Sequence, residues 1–266
     1  MKTSVIVTTY NRPAYLRKVL SGFADQTRLP DEVIVADDGS GPETRALIDE
    51  LREKMPFPLL HSWHEHKMFG AAAARNDGAR IATGDYFIFI DGDCIPSKSF
   101  VEDHQYLART GRCVHNKRIM VQLEAVEQFT GRESFWELLK LWLLGKIKKV
   151  AFYKFLHIPW YPFNGKGRAG FTIGVFREDF LKINGWNEDF EGAVHEDHDF
   201  DERLERAGVK RWTAAFGGLV FHLNHPAHTF ERNDEALRLL EESRRGPFYV
   251  EKGFVNRDDA HQGSPT

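Results

Sequence analysis

The stretch Gly84-Asp-Tyr-Phe-Ile-Phe-Ile-Asp-Gly-Asp93 decides the fold. The apolar and aromatic run from Tyr86 to Ile90 predicts a strand buried on both faces, the habit of a parallel sheet. It stops abruptly at two carboxylates one residue apart. Upstream, Gly70 to Ala82 reads as a helix, Glu32-Val-Ile-Val-Ala36 as a second buried strand closed by Asp37-Asp-Gly-Ser-Gly41, and Glu43 to Lys54 as the helix after it. Thr3 to Thr9 is a β-branched first strand. Arg12 to Ala24 then spaces Tyr15, Leu16, Val19, Leu20 and Phe23 as on a helix, with Pro13 in its first turn. Alternating strands and helices predict an α/β fold, a mainly parallel doubly wound sheet with helices on both faces.

Downstream of Pro96 the alternation is less regular. Helices are expected at Lys98 to Arg109, Glu196 to Ala207 and Glu231 to Arg244, and strands at Lys117 to Leu123 and Phe171 to Phe176. Residues 257–266 are polar and read as a flexible tail.

Composition narrows the function. The 266 residues carry 36 Lys and Arg against 39 Asp and Glu, a net charge of -3, which supplies no global field for nucleic acid. Hydrophobic residues make up 42%, enough for the core of a soluble domain. Cys94 and Cys113 form no CxxC pair, which argues against a disulfide scaffold and for a reducing compartment. No uncharged apolar stretch reaches the roughly 20 residues of a bilayer span, and Met1 to Pro13 reads as a strand rather than a signal peptide. The expected location is cytoplasmic.

Ligands of an open parallel sheet bind beyond the carboxyl ends of its strands. Those ends carry Thr8-Thr9-Tyr10-Asn11, Asp37-Asp38 and Asp91-Gly92-Asp93. No GxGxxG follows the first strand and no GxxxxGK[ST] is present, so dinucleotide and P-loop readings lose their usual support. Asp91 and Asp93 fit either a divalent-cation site of Mg²⁺ or Mn²⁺ type or a solvated turn. In His195-Glu-Asp-His-Asp199, Glu196 and Asp197 fall in a first helical turn, as a general base held by the helix dipole or as plain capping charge. His222 and His225, three residues apart, are either metal-ligating or structural.

These motifs in this order, together with Ala74-Arg-Asn76 and Gly185-Trp186, resemble the inverting glycosyltransferases of family 2 with the GT-A fold, over residues 3–228. The second half is similar to the galactosyltransferase-type region of bacterial polysaccharide and lipopolysaccharide enzymes. The resemblance implies a UDP-sugar donor, a glycan or lipid-linked acceptor, and Mn²⁺ or Mg²⁺. It implies that Thr8, Tyr10, Arg12, Asp38, Arg75, Asp91 and Gly92 bind the nucleotide-sugar, and that Asp93 and His222, or alternatively His225, hold the metal. Asp197 would be the catalytic base with Glu196 beside it, and Trp186 and Ala193 would meet the acceptor. Ala193 and Thr172 depart from the family's residues at those places. Residues 1–96 would form the nucleotide-sugar half and 97–256 the acceptor and catalytic half of one domain. A sugar-phosphate nucleotidyltransferase, or an inactive carbohydrate-binding relative, is the alternative.

An insert at 129–163 has six basic side chains against two acidic, a net +4, and ten aromatics. On a helix, Glu133, Glu137, Lys140 and Lys148 would share one face, and Phe135, Leu138, Leu139, Trp142 and Leu143 the other. One reading is an interfacial helix making peripheral contact with an anionic membrane; the other is a core-packing helix with an acceptor loop.

Overall fold

The computed structural model describes residues 1–66, 68, 70–148, 162–163, 172–190, 192, 194–214, 218–225 and 233–255. The chain runs β1 (Thr3–Thr9), α1 (Pro13–Ala24), β2 (Glu32–Asp37), α2 (Pro42–Arg52), β3 (Leu59–Trp63), α3 (Ala71–Ile81) and β4 (Tyr86–Asp91). It continues through β5 (Cys94–Pro96), α4 (Phe100–Leu107), β6 (Arg112–His115), β7 (Arg118–Val121), α5 (Leu123–Val126), α6 (Phe135–Leu143), β8 (Ile147–Lys148) and β9 (Pro162–Phe163). The remainder is β10 (Thr172–Phe176), α7 (Arg177–Lys182), α8 (Glu196–Arg206), β11 (Lys210–Ala214), β12 (Val220–Leu223) and α9 (Asn233–Arg245).

The main sheet has eight strands in the order β3-β2-β1-β4-β10-β6-β11-β9. Its first four are mutually parallel, in keeping with the buried apolar runs of β1, β2 and β4. Alternation explains why both faces are dry. Val5, Val7, Val33, Val35, Ile88 and Ile90 enter one core with Leu16, Val19 and Phe23 of α1 and Leu47 and Ile48 of α2. Ile6, Ile34, Phe87 and Phe89 enter the opposite core with Ala72 and Ala79 of α3, Phe180 of α7 and Phe200 of α8. Each fully buried Val, Leu, Ile or Phe among them contributes about 1.5–3 kcal/mol. A Cβ on Gly78 would stand 2.8 Å from Ile6, so the small residue lets α3 lie close on the sheet.

Beyond β4 the parallel pattern breaks. β10 runs antiparallel to both β4 and β6, and β11 runs parallel to β6. A second sheet, β5-β12-β7-β8, packs beside the first; its strands of two to four residues are too short to show a period in sequence.

Within the insert, α6 is shorter than the facial assignment needs. Ser134 and Glu137 form a capping box at its start, and Gly145, at φ +70, breaks the chain after its end. Lys148 therefore leaves the helix and pairs with Met120 in the second sheet, while Glu133 accepts from the backbone of Thr130 and Gly131 in the preceding turn. Of the expected apolar face only Leu138 is buried; Phe135, Trp142 and Leu143 are exposed, as is Trp136 at 73%. Residues 149–161 of the insert and the expected tail at 257–266 lie outside the described residues.

Candidate active site

The carboxyl ends of β1 and β4 adjoin, with Thr8 in register with Asp91. The Gly92 N–H donates to the Thr8 carbonyl at 2.7 Å. A Cβ on Gly92 would come 2.8 Å from that oxygen, so only glycine allows the chain to turn tightly here and present Asp91 and Asp93 on either side.

Arg75, on α3, is buried and binds two carboxylates: Nη2 donates to Asp91 at 3.0 Å, and Nη1 to Glu196 at 2.9 Å. Its guanidinium lies over the Trp186 ring, 4.5 Å from the centroid, and that ring stacks on Phe200. The first turn of α8 is thereby tied to the end of β4. Burial drives the Asp91 carboxyl up to about 7, with Arg75 opposing the rise and Asp93 adding to it. Asp197, beside Glu196, is also raised, by burial and then by the Glu196 charge. Residue 195 precedes the helix in the left-handed region, at φ +80, and its ring stacks on that of His198, so two imidazoles flank this turn.

Asp93 faces a pair of imidazoles. β12 pairs with β5 so that His222 lies opposite Cys94, and the chain then brings His225 round as well. His225 Nε2 is 3.0 Å and His222 Nε2 3.8 Å from the same Asp93 oxygen. One ligand atom from each of Asp93, His222 and His225 lies within 4.8 Å of the others. Against the upward push of burial, the hydrogen bond from His225 and the charges of both imidazoles hold Asp93 below the usual carboxylate range. One carboxylate and two imidazoles fit a divalent transition ion such as Mn²⁺. The two histidines, alternatives in sequence, converge on one oxygen.

Further along the same carboxyl-end edge, after β1, Tyr10 is 38% exposed and stacks on His66 at 4.1 Å between centroids. Arg12 sits before α1 with its guanidinium over the Tyr15 ring. Asp38 is buried and accepts from the Gly70 N–H at 2.9 Å and pairs with His64 at 2.9 Å. His64 also meets Asp77 at 2.8 Å. Hydrogen bonds to Asp38 and Asp77 raise its imidazole to about 9.

Thr8, Asp91, Gly92 and Asp93 therefore cluster at one strand edge, joined by Arg75, Glu196 and Asp197, with both histidines on Asp93. Trp186 does not lie where acceptor contact was expected. It is 1% exposed, because its ring fills the core between Arg75 and Phe200, so it supports the site from below. Ala193 lies outside the described residues. Sequence reasoning missed His64 and His66, which belong to no motif, and Arg118 on β7, whose charge interacts with Asp91, Asp93 and Asp197. An isolated arginine in a four-residue strand carries no sequence signal.

Comparison with known proteins bears on the family and the fold. The profile of glycosyl transferase family 2 matches residues 4–183, and one described as the N-terminal domain of galactosyltransferase matches 151–229. Validoxylamine A glucosyltransferase of Streptomyces hygroscopicus subsp. limoneus is 28% identical over 227 residues, covering 77% of this chain and 48% of its own length. The Pasteurella multocida hyaluronan synthase is 39% identical over 106 residues, 40% of this chain and 10% of the synthase. The chain thus spans about half or less of the curated relatives it matches. Among solved structures, Staphylococcus aureus TarS 1–349 in complex with UDP superposes with a TM-score of 0.62 at 19% identity, covering 98% of this chain and 69% of that one. GalNAc-T7 with UDP, GalNAc and Mn²⁺ gives 0.66 at 15% identity, covering 92% and 48%. With two thirds of its length matched to the family profile and a strand-end carboxylate cluster on the fold of those enzymes, the chain belongs to glycosyltransferase family 2.

Proposed function

We propose that this chain transfers a sugar from a UDP-sugar to a hydroxyl of a glycan or glycolipid, with inversion at the anomeric carbon, in the building of bacterial surface polysaccharide or lipopolysaccharide. The observation that carries the reading is the Arg75 bridge, which fixes the Asp91 and Glu196 carboxylates together beside Asp93 and Asp197. Support for the donor comes from solved relatives captured with UDP and with UDP-GlcNAc.

Tyr10 offers the uracil a ring face at the site that His66 now covers. Asp38 uses one oxygen for Gly70 and the other for His64, and a carboxylate's four or so lone-pair sites leave room for a base or ribose donor. Thr8, Arg12 and Gly92 line the same edge, and Asp91 is placed to meet the ribose and sugar. Asp93, His222 and His225 would hold Mn²⁺ or Mg²⁺, which when bound neutralises charge on the diphosphate as a Lewis acid.

Asp197 takes the proton of the acceptor hydroxyl as that oxygen attacks the anomeric carbon from the side opposite UDP. Its raised affinity for protons suits this work, since a base is most effective when its pKa lies near the working pH. Glu196, fixed by Arg75, keeps the α8 turn in place and stands beside the reacting sugars.

A second contact is proposed for α6. Trp136, Leu143 and Leu144 are exposed next to the basic Lys140, the pattern of a helix lying on an anionic membrane surface near a lipid-linked acceptor. Among the described residues no helix is long and apolar enough to cross a membrane.

Thermal melts with UDP-, GDP- and CMP-sugars, each with and without Mn²⁺, test the donor assignment. A ligand that binds the folded state raises its melting temperature. A rise with UDP-sugars that is larger with Mn²⁺ is expected; a rise with only GDP- or CMP-sugars would refute the UDP assignment.

A further inference from the structure

The second sheet presents two different faces. Ile119 and Val121 of β7, with Phe221 of β12, point into the core beneath it. Arg118 and Met120, the alternate residues of β7, are only partly buried. Register places Val220 beside Arg118 and His222 beside Met120. On the other side of β7, Lys148 lies opposite Met120, and on the other side of β12, Cys94 lies opposite His222. Because paired residues point the same way and alternate residues oppose, one face carries Arg118, Met120, Lys148 and His222, together with the buried Val220 and Cys94. His222 faces Asp93, so this is the face turned to the carboxylate cluster.

Electrostatics agrees with that placement. Burial weakens the Arg118 charge, while Cys94, Asp91, Asp93 and Asp197 support it. Of the four carboxylates in the cluster, Asp91 and Glu196 are already bound by Arg75, and Asp93 lies against the two histidines. A divalent ion at Asp93, with Arg75 and Arg118, balances the four. Lys148 then leaves this wall of the cleft positive, suited to an anion. A guanidinium is a planar fork that binds phosphate through two parallel hydrogen bonds, and an adjacent ammonium adds a point charge.

We propose that Arg118, with Lys148 on the same face of the sheet, forms a phosphate-binding subsite in the wall of the catalytic cleft. This rests on the glycosyl-transfer reading above. The phosphate belongs either to the donor diphosphate or to a phosphorylated acceptor, since the cluster that Arg118 faces includes both Asp93 and Asp197.

The test measures dissociation constants of the wild type and of Arg118→Gln, Arg118→Lys and Lys148→Gln by calorimetry with Mn²⁺. The probes are uridine, UDP, and sn-glycerol 3-phosphate added to UDP-saturated protein. Arg118→Gln should weaken at least one phosphate probe about tenfold or more, the scale of a lost charge-assisted bond. It should leave uridine within about twofold, with Arg118→Lys recovering part of the loss and Lys148→Gln showing a smaller one. Loss on UDP assigns the subsite to the donor; loss on glycerol phosphate alone assigns it to the acceptor. Unchanged UDP binding with no Arg118-dependent binding of glycerol phosphate overturns the proposal, as does an equal loss on uridine. Failure of the wild type to bind either uridine or UDP would instead overturn the donor reading beneath it. Should Arg118→Gln not fold, Arg118→Lys carries the comparison, because it keeps the charge and loses the fork.

Discussion

Arg75 and Glu196 lie 121 residues apart in sequence and meet in a buried ion pair of 2.9 Å. Arg75 also holds Asp91, so the bridge joins the end of β4 to the start of α8. Removing one partner of a buried pair strands the others, at about 3–5 kcal/mol. Arg75→Met should lower unfolding stability by that order in urea and abolish transfer. Arg75→Lys should fold better yet stay slow, since an ammonium cannot serve both carboxylates with the same geometry. Wild-type turnover in Arg75→Met would show that the bridge is dispensable.

The convergence of His222 and His225 on Asp93 predicts that all three matter to metal binding. Asp93→Asn, His222→Ala and His225→Ala should each weaken Mn²⁺ affinity about tenfold or more, read by Mn²⁺ electron paramagnetic resonance in the presence of UDP. An unaffected His222→Ala would leave the site to Asp93 and His225.

His64 gives a pH signature. Its folded pKa of about 9 stands above its ordinary 6.5, so the stabilisation from Asp38 and Asp77 is fully present below pH 6.5 and is lost as pH rises through about 9. Chemical denaturation between pH 6 and 10 should show the wild type losing stability across this window more steeply than His64→Gln. Parallel profiles would mean that His64 is not charged in the folded state.

Much of this architecture is legible in sequence because β1, β2 and β4 are long apolar runs that end in polar motifs. The elements that complete the site are not. β3 is a half-exposed strand containing His61 and Ser62, and β5, β7, β8 and β12 are stabilised by pairing and packing rather than by local preference. Asp91, Asp93 and Asp197 could be singled out because motifs carry them. Arg118 becomes a neighbour of those carboxylates only through the register of the second sheet, and Trp186 is turned inward by a core that no local pattern reveals.

The exposed apolar residues of α6 predict surface binding. The protein should sediment with vesicles containing anionic lipid and less with neutral ones, and Trp136→Ala with Leu143→Ala should reduce the bound fraction without lowering the melting temperature. Equal sedimentation of the variant would place any contact elsewhere.

The decisive measurement is UDP release from a UDP-sugar, with Mn²⁺ and an acceptor, by the wild type and by Asp197→Asn, alongside UDP affinity of both. The raised Asp197 carboxyl must be ionised to act, so the wild-type rate should climb as pH rises through its pKa. Asp197→Asn should bind UDP like the wild type and turn over about 10²–10⁴-fold more slowly, the range of general-base catalysis. Normal turnover by Asp197→Asn, with the same pH profile, would contradict the mechanism.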